Sequence, residues 1–207
     1  MDIIKIIDSI ADKIFEKRDE LSELDRAIGD SDHGVNLSRG FQKIKEESSS
    51  FSKLNYSEIA NKMAMILISN VGGASGAIYG TGLMRVAQSL KGVEELDRDK
   101  VGVALGAMVE GIKFRGKAIA GEKTMLDTLE PVEKIFQESK ELSICEFLDK
   151  IEEVAQEGME STKDMLATKG RASYLGERSI GHIDPGAMSS YIIVKTICEN
   201  LREEFKC

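Results

Sequence analysis

The sequence predicts an all-α protein, an eight-helix antiparallel barrel or bundle. Apolar residues recur at three- and four-residue spacing almost from end to end, as helices with one buried face require. Strand-like alternation of apolar and polar residues is scarce. The 207 residues hold only two prolines, Pro131 and Pro185, so few helices need be broken internally.

The elements follow in chain order. Ile3, Ile4, Ile7, Ile10, Ile14 and Phe15 place the first helix over 2–20, and a second is expected over 36–47. Ile59, Met63, Ile66 and Leu67 mark the third, over 57–70; the fourth and fifth span 76–90 and 98–114. The sixth covers 124–138, and Ile144, Phe147, Leu148, Ile151 and Val154 carry the seventh over 144–168. The eighth runs over 186–205. Glycine concentrates between segments, in "GDSDHG", "VGGASGAIYGTG", "RGKAIAGEKT" and "KGRASYLGERSIGHIDPG". No internal repeat and no dividing linker is visible, so 1–207 reads as one domain, and antiparallel helices are its natural architecture.

Composition narrows the function. The chain carries 28 basic and 36 acidic residues, a net charge of −8, with no basic block. That excludes a nucleic-acid binder and a membrane-surface protein. No apolar run approaches the ~20 residues that span a bilayer. The N-terminus, "MDIIKIIDSIADKIFEK", is too charged and too periodic for a signal peptide. Cys145, Cys198 and Cys207 form no CxxC pair; Cys145 and Cys198 sit among helix-type residues and read as small core fillers. An odd count without a secretion signal reads as cytoplasmic and reduced.

One turn concentrates negative charge. Asp25, Asp30 and Asp32 crowd the only histidine of the first half, His33. An unbroken helix sets residues 30 and 32 about 200° apart, so a turn at Gly29 is needed to gather the three carboxylates on one hard cation. A calcium loop does not match: counted from Asp30, the sixth position is Val35 and the twelfth Phe41. Magnesium fits better, and magnesium usually brings phosphates; the alternative is a capped, solvated turn.

Phosphate needs free backbone N–H groups at helix N-termini. Three places offer them: "HGVN", "GGAS" and "DPGA", the last with Asp184 as cap and Pro185 at the first helical position. Each alone is routine capping; three beside a carboxylate cluster favour a nucleotide. Standard nucleotide motifs fail, since Glu122 puts "GKAIAGEKT" one residue out of register for a P-loop, and "GTGLMR" lacks the third glycine of a dinucleotide fingerprint. "TKGRASYLGERSIGHIDPGA" is long for a connection, and such loops are often functional. In it, Arg171 or Arg178 suits charge on a transferring phosphoryl group. His33 and His182 are weaker phosphate candidates, because lone histidines more often pack or cap.

These clusters, in this order, resemble the nucleotide-binding L subunit of dihydroxyacetone kinase. The resemblance spans nearly the whole chain and rests on "LDRAIGDSDHGVNLSRGF", "VGGASGAIYGTG", "RGKAIAGEKTMLDTLEPV" and "KGRASYLGERSIGHIDPGA". It implies an eight-helix barrel with the nucleotide, ADP or ATP, capping one end, and Mg²⁺ held by Asp25, Asp30 and Asp32. It places His33, Gly34, Val35, Asn36, Ala74, Ser75, Gly116, Met125, Asp184, Pro185 and Gly186 around the nucleotide, with Arg171 at the phosphates as the catalytic residue.

A free-standing L chain resembles the form that depends on the bacterial sugar phosphotransferase system. There ADP stays bound as a cofactor, a phosphohistidine donor subunit converts it to ATP in place, and the phosphoryl group passes to dihydroxyacetone on a separate K subunit. Ser31 and Leu37 depart from the smaller or methionine residues common at these positions, and "GAIYGTG" lacks the usual proline. Two rivals stand beside this reading. One is an ATP-exchanging kinase on the same domain; fatty-acid kinases usually carry threonine where this chain has His33. The other is a nucleotide-loaded module that binds a transcription regulator.

Overall fold

The computed structural model describes residues 2–207, and among them there is no strand. Nine α-helices follow in order: α1 (Ile3–Glu16), α2 (Arg18–Ile28), α3 (His33–Ser48), α4 (Tyr56–Asn70), α5 (Gly73–Ser89), α6 (Arg98–Gly116), α7 (Leu126–Glu138), α8 (Ile144–Ser161) and α9 (Pro185–Phe205). Helices α1 and α2 are one rod bent at Lys17. Lys17 has φ −90° and ψ 6°, yet its N–H still bonds the Lys13 carbonyl and its own carbonyl accepts from Leu21 N. The expected eight helices are therefore present, but the first continues to Ile28, eight residues past its expected end.

Start signals explain most boundaries. Asp2 caps α1, its carboxylate accepting from Ile4 N and Lys5 N at 3.1 Å each. Asn55 with Glu58 and Ser143 with Glu146 form reciprocal capping boxes on α4 and α8. Asp184 caps α9, and Pro185 opens it without a missing hydrogen bond.

The helices close a ring. α1 packs on α3, α3 on α4, and each later helix on the next until α9 returns to α1. Short links make successive neighbours antiparallel up to α8, and a long loop, 162–184, leads back into α9. The ring buries one continuous core, including Ile14, Leu21, Leu37, Ile44, Leu67, Val109, Leu126 and Cys198. Burying an aliphatic side chain fully contributes about 1.5–3 kcal/mol, so this seam is the main source of stability. Pro131 lies inside α7. It denies the Asp127 carbonyl its helical partner, and α8 packs there through Gly158, whose Cβ would sit 2.2 Å from that oxygen.

Two expectations change. The helix over 144–168 stops at Ser161, because the chain turns through a short 3₁₀ segment, Thr162–Asp164, with the Thr162 hydroxyl donating to the Met159 carbonyl. Cys145 is neither a core filler nor the reduced thiol expected from the cysteine count. It is half-exposed at the start of α8 and disulfide-bonded to Cys207, whereas Cys198 is buried and free, as expected. Folding brings residues 62 apart in sequence to a Cα separation of 5.4 Å, which spacing alone does not reveal. No helix of the described residues is long and apolar enough to cross a membrane.

Candidate functional site

The up-and-down course brings four helix starts, those of α3, α5, α7 and α9, to one end of the barrel, beside the ends of α2 and α6. A cavity of about 360 Å³ opens there. Helix N-termini present unpaired N–H groups and the positive end of the dipole, so this end favours an anion.

Asp25, Asp30 and Asp32 meet at its edge. Each supplies one carboxylate oxygen to a group whose members all lie within 4.8 Å of one another. Asp25 stands in the last turn of α2, not in the connecting turn. Its Oδ2 accepts from Asp32 N at 2.8 Å and His33 N at 3.0 Å, which locks α2 to the start of α3. A Cβ on Gly29 would sit 2.0 Å from Asp25 Oδ1, so glycine is required where the chain passes this carboxylate. Burial, then the charges of Asp30 and Asp25, raise the carboxyl pKa of Asp32 above the ordinary range, against an opposing bond to Asn36. Three oxygen donors, one pre-oriented by two amides and one penalised by its neighbours' charge, fit a hard divalent cation.

The other expected residues divide. His33, Ala74, Ser75, Gly116, Met125, Arg171, Asp184, Pro185 and Gly186 line the cavity with the three aspartates. Gly34, Val35 and Asn36 do not. They form the first turn of α3, which begins at His33 and not at residue 36. Gly34 faces α2, where a Cβ would meet the Arg18 carbonyl at 2.0 Å. Val35 points outward and is half exposed. The Asn36 side chain accepts from Arg39 at 2.9 Å.

Beneath the cavity lies a buried polar row. His33 Nε2 is 3.0 Å from Ser189 Oγ, and Tyr79 OH lies 3.0 Å from Ser189 Oγ and 2.9 Å from Ser190 Oγ. Burial depresses the His33 pKa to about 4, so the ring is neutral at neutral pH. Asp184 accepts from Ala187 N at 2.8 Å, and burial pushes its carboxyl up to about 7.

Arg171 lies on the 3₁₀ segment Arg171–Ser179, and its Nε pairs with Asp30 Oδ2 at 2.7 Å. Ala172, next to it, joins Ala167 and Ile28 in a small apolar cluster that pins this loop to the end of α2. His182 lies on the exposed stretch before α9.

Sequence reasoning missed the apolar wall made by Ile78, Ile112, Ala118 and Leu126, and the cations Arg115, Lys123 and Lys169. The wall is discontinuous in sequence. The turn before α7 carries a local signal: Thr124 N donates to Asp127 Oδ2 at 2.7 Å, and Leu126 N donates to Thr124 Oγ1 at 3.2 Å.

A family model described as the DAK2 domain matches residues 27–199. The chain is 44% identical over 190 residues to the "PTS-dependent dihydroxyacetone kinase, ADP-binding subunit DhaL" of Lactococcus lactis, covering 91% of each chain. It is 40% identical over 193 residues to the "PEP-dependent dihydroxyacetone kinase, ADP-binding subunit DhaL" of Escherichia coli, covering 92% of each. Among solved structures it resembles the dihydroxyacetone kinase of C. freundii in its native form, with a TM-score of 0.77 at 22% identity. That match covers 96% of this chain and 34% of the larger one, and it speaks to the fold alone.

Proposed function

The chain belongs to the DAK2 domain family, and from that footing we propose that it is the ADP-binding subunit of a phosphoenolpyruvate-dependent dihydroxyacetone kinase. One observation carries the reading: three carboxylates within 4.8 Å of one another, with a guanidinium 2.7 Å from one of them, at a cavity ringed by helix starts. That constellation suits a magnesium–nucleotide.

In this reading the base lies on Ile78, Ile112, Ala118 and Met125, and the phosphates face the starts of α3, α5 and α9. Asp25, Asp30 and Asp32 would hold Mg²⁺, whose charge would offset that of the phosphate oxygens. Arg171 is the catalytic residue, placed to stabilise charge on that group. Gly34, Val35 and Asn36 contribute the amide-rich first turn of α3 and not side-chain contacts. A phosphohistidine subunit supplies the phosphoryl group, and a K subunit presents dihydroxyacetone. The whole of 1–207 acts as one nucleotide-binding domain in the cytoplasm. There the disulfide is open to thiol exchange, since Cys207 is exposed.

The test is to denature the purified protein and weigh what it releases. ADP with magnesium, neither having been added and both surviving dialysis, is the expected result. Loss of nucleotide on dialysis favours the ATP-exchanging rival. Absence of any nucleotide or metal overturns the proposal.

A further inference from the structure

Lys123 is the anomaly of this end of the barrel. Only 1% of it is exposed, and it adopts a left-handed backbone with φ 62°. That conformation strains a non-glycine residue, and such strain persists only where the surroundings enforce it. The enforcement is visible. Asp127 accepts from Gly121 N and Thr124 N, tightening the turn that contains Lys123. Burying an ammonium also requires partners. Its Nζ donates to the carbonyls of Thr162 and His182.

Those two carbonyls are the feet of the loop that bears Arg171. Around them the feet are stitched together: Asp184 N bonds Thr162 Oγ1 at 3.0 Å, and Gly181 N bonds the Lys163 carbonyl at 2.7 Å. The neighbouring Glu122 holds the same loop from outside. Its carbonyl accepts from Thr168 N at 3.4 Å, and its carboxylate accepts from the Thr168 hydroxyl at 3.2 Å and lies 3.7 Å from Lys169 Nζ. The loop's own buried apolar anchor is small: Ala167 and Ala172, packed on Ile28 of α2. With so little packing, polar bonds hold residues 162–184 closed: those at the base, and Ala167 N donating to Ser179 Oγ at 3.0 Å across the loop.

We propose that Lys123 is a positioning residue: its ammonium ties the two feet of the 162–184 loop together and so fixes Arg171 and Lys169 at the cavity. This rests on the nucleotide-transfer reading for its functional consequence, but the clamp itself does not. The Lys123 Nζ is taken up by the Thr162 and His182 carbonyls, so in this reading it acts through the loop.

Two measurements test it. Hydrogen exchange of nucleotide-stripped protein is compared between wild type and Lys123→Met. The expected result is at least about tenfold faster exchange in 163–183 with α4 and α5 unchanged, the signature of local opening. Equal exchange in the loop overturns the clamp, whatever the nucleotide reading. Phosphoryl transfer, reconstituted with the K and donor subunits, is then measured for Lys123→Met, Arg171→Ala and the double variant. Lys123→Met is expected to cut turnover about tenfold or more in the wild-type background and to add nothing once Arg171 is gone, since neighbours in one network are non-additive. Multiplying effects overturn the positioning role and leave Lys123 a merely structural residue. If Lys123→Met does not fold, Lys123→Gln, which keeps a donor for one carbonyl, takes its place with intermediate effects expected. Failure of both to fold also overturns the proposal. Wild-type protein that binds no nucleotide overturns the functional consequence, and the exchange comparison still decides the clamp.

Discussion

Arg171 Nε lies 2.7 Å from Asp30 Oδ2 in an ion pair, although the two are 141 positions and most of the barrel apart in sequence. The guanidinium is two-thirds exposed, so the pair contributes little to stability, about 0–1 kcal/mol. Its interest is geometric: it sets a planar cation against one member of the carboxylate group.

The first prediction follows. Arg171→Lys keeps the charge and loses the fork, so turnover with the K and donor subunits is expected to fall by about 10² or more. The melting temperature should stay within a degree or two of wild type. Wild-type turnover in a folded variant removes Arg171 from the reaction; unfolding makes it structural.

The carboxylate group yields a prediction of opposite signs. Asp32 is held against Asp25 and Asp30, and a close pair of like charges costs up to about 4 kcal/mol at an effective dielectric of 20. Asp32→Asn should therefore stabilise stripped protein and destabilise loaded protein. Asp30→Asn should release nucleotide with little change in the stripped fold, because Asp30 is exposed. Glu94, exposed and far along the chain, is the control. Chelation should lower the wild-type melting temperature, since a ligand at about 1,000 times its Kd stabilises by about 4 kcal/mol. Equal nucleotide retention in Asp30→Asn, Asp32→Asn and Glu94→Gln, read from absorbance of the released base, ends the metal assignment.

Much of this was legible in the sequence, for stated physical reasons. Three-and-four spacing depends only on which face a helix buries, so it located all eight barrel helices. It ended the first one early because "RDELSELDR" is polar, although Leu21, Asp25 and Ile28 keep the buried period. The cluster "VGGASGAIYGTG" reads as an interruption between helices, yet most of it lies within α5. A Cβ on Gly80 would stand 2.4 Å from the Ile68 side chain, so glycine there serves close packing of α5 on α4. The aspartates could be picked out because charge crowding is visible in one dimension. The apolar wall, the Cys145–Cys207 bond and the Lys123 clamp could not, because each joins elements far apart in the chain.

The disulfide gives a redox-dependent stability. Oxidised wild type is expected to melt above oxidised Cys207→Ser by an amount within the ordinary 2–4 kcal/mol for such bonds. In reductant the two should coincide. A difference that persists in dithiothreitol would show that Cys207 acts by some route other than the bond to Cys145.

Asp184 sets the last expectation, a pH dependence. Burial raises its carboxyl to about 7, against the opposing bond from Ala187 N and the nearby charge of Lys123. An unfolded aspartate titrates near 3.9. Between these values the folded chain holds a proton that the unfolded chain has released. Stability therefore falls as pH rises through this window and levels off above 7. Asparagine caps a helix as well as aspartate does and carries no charge, so Asp184→Asn should keep α9 and lose the dependence. The stability of stripped Asp184→Asn minus that of stripped wild type should grow between pH 4 and 8, by at most about 4 kcal/mol. A flat difference across that range, measured by urea unfolding, would mean that Asp184 is ionised in the folded protein, with Lys123 and the α9 amides holding its charge.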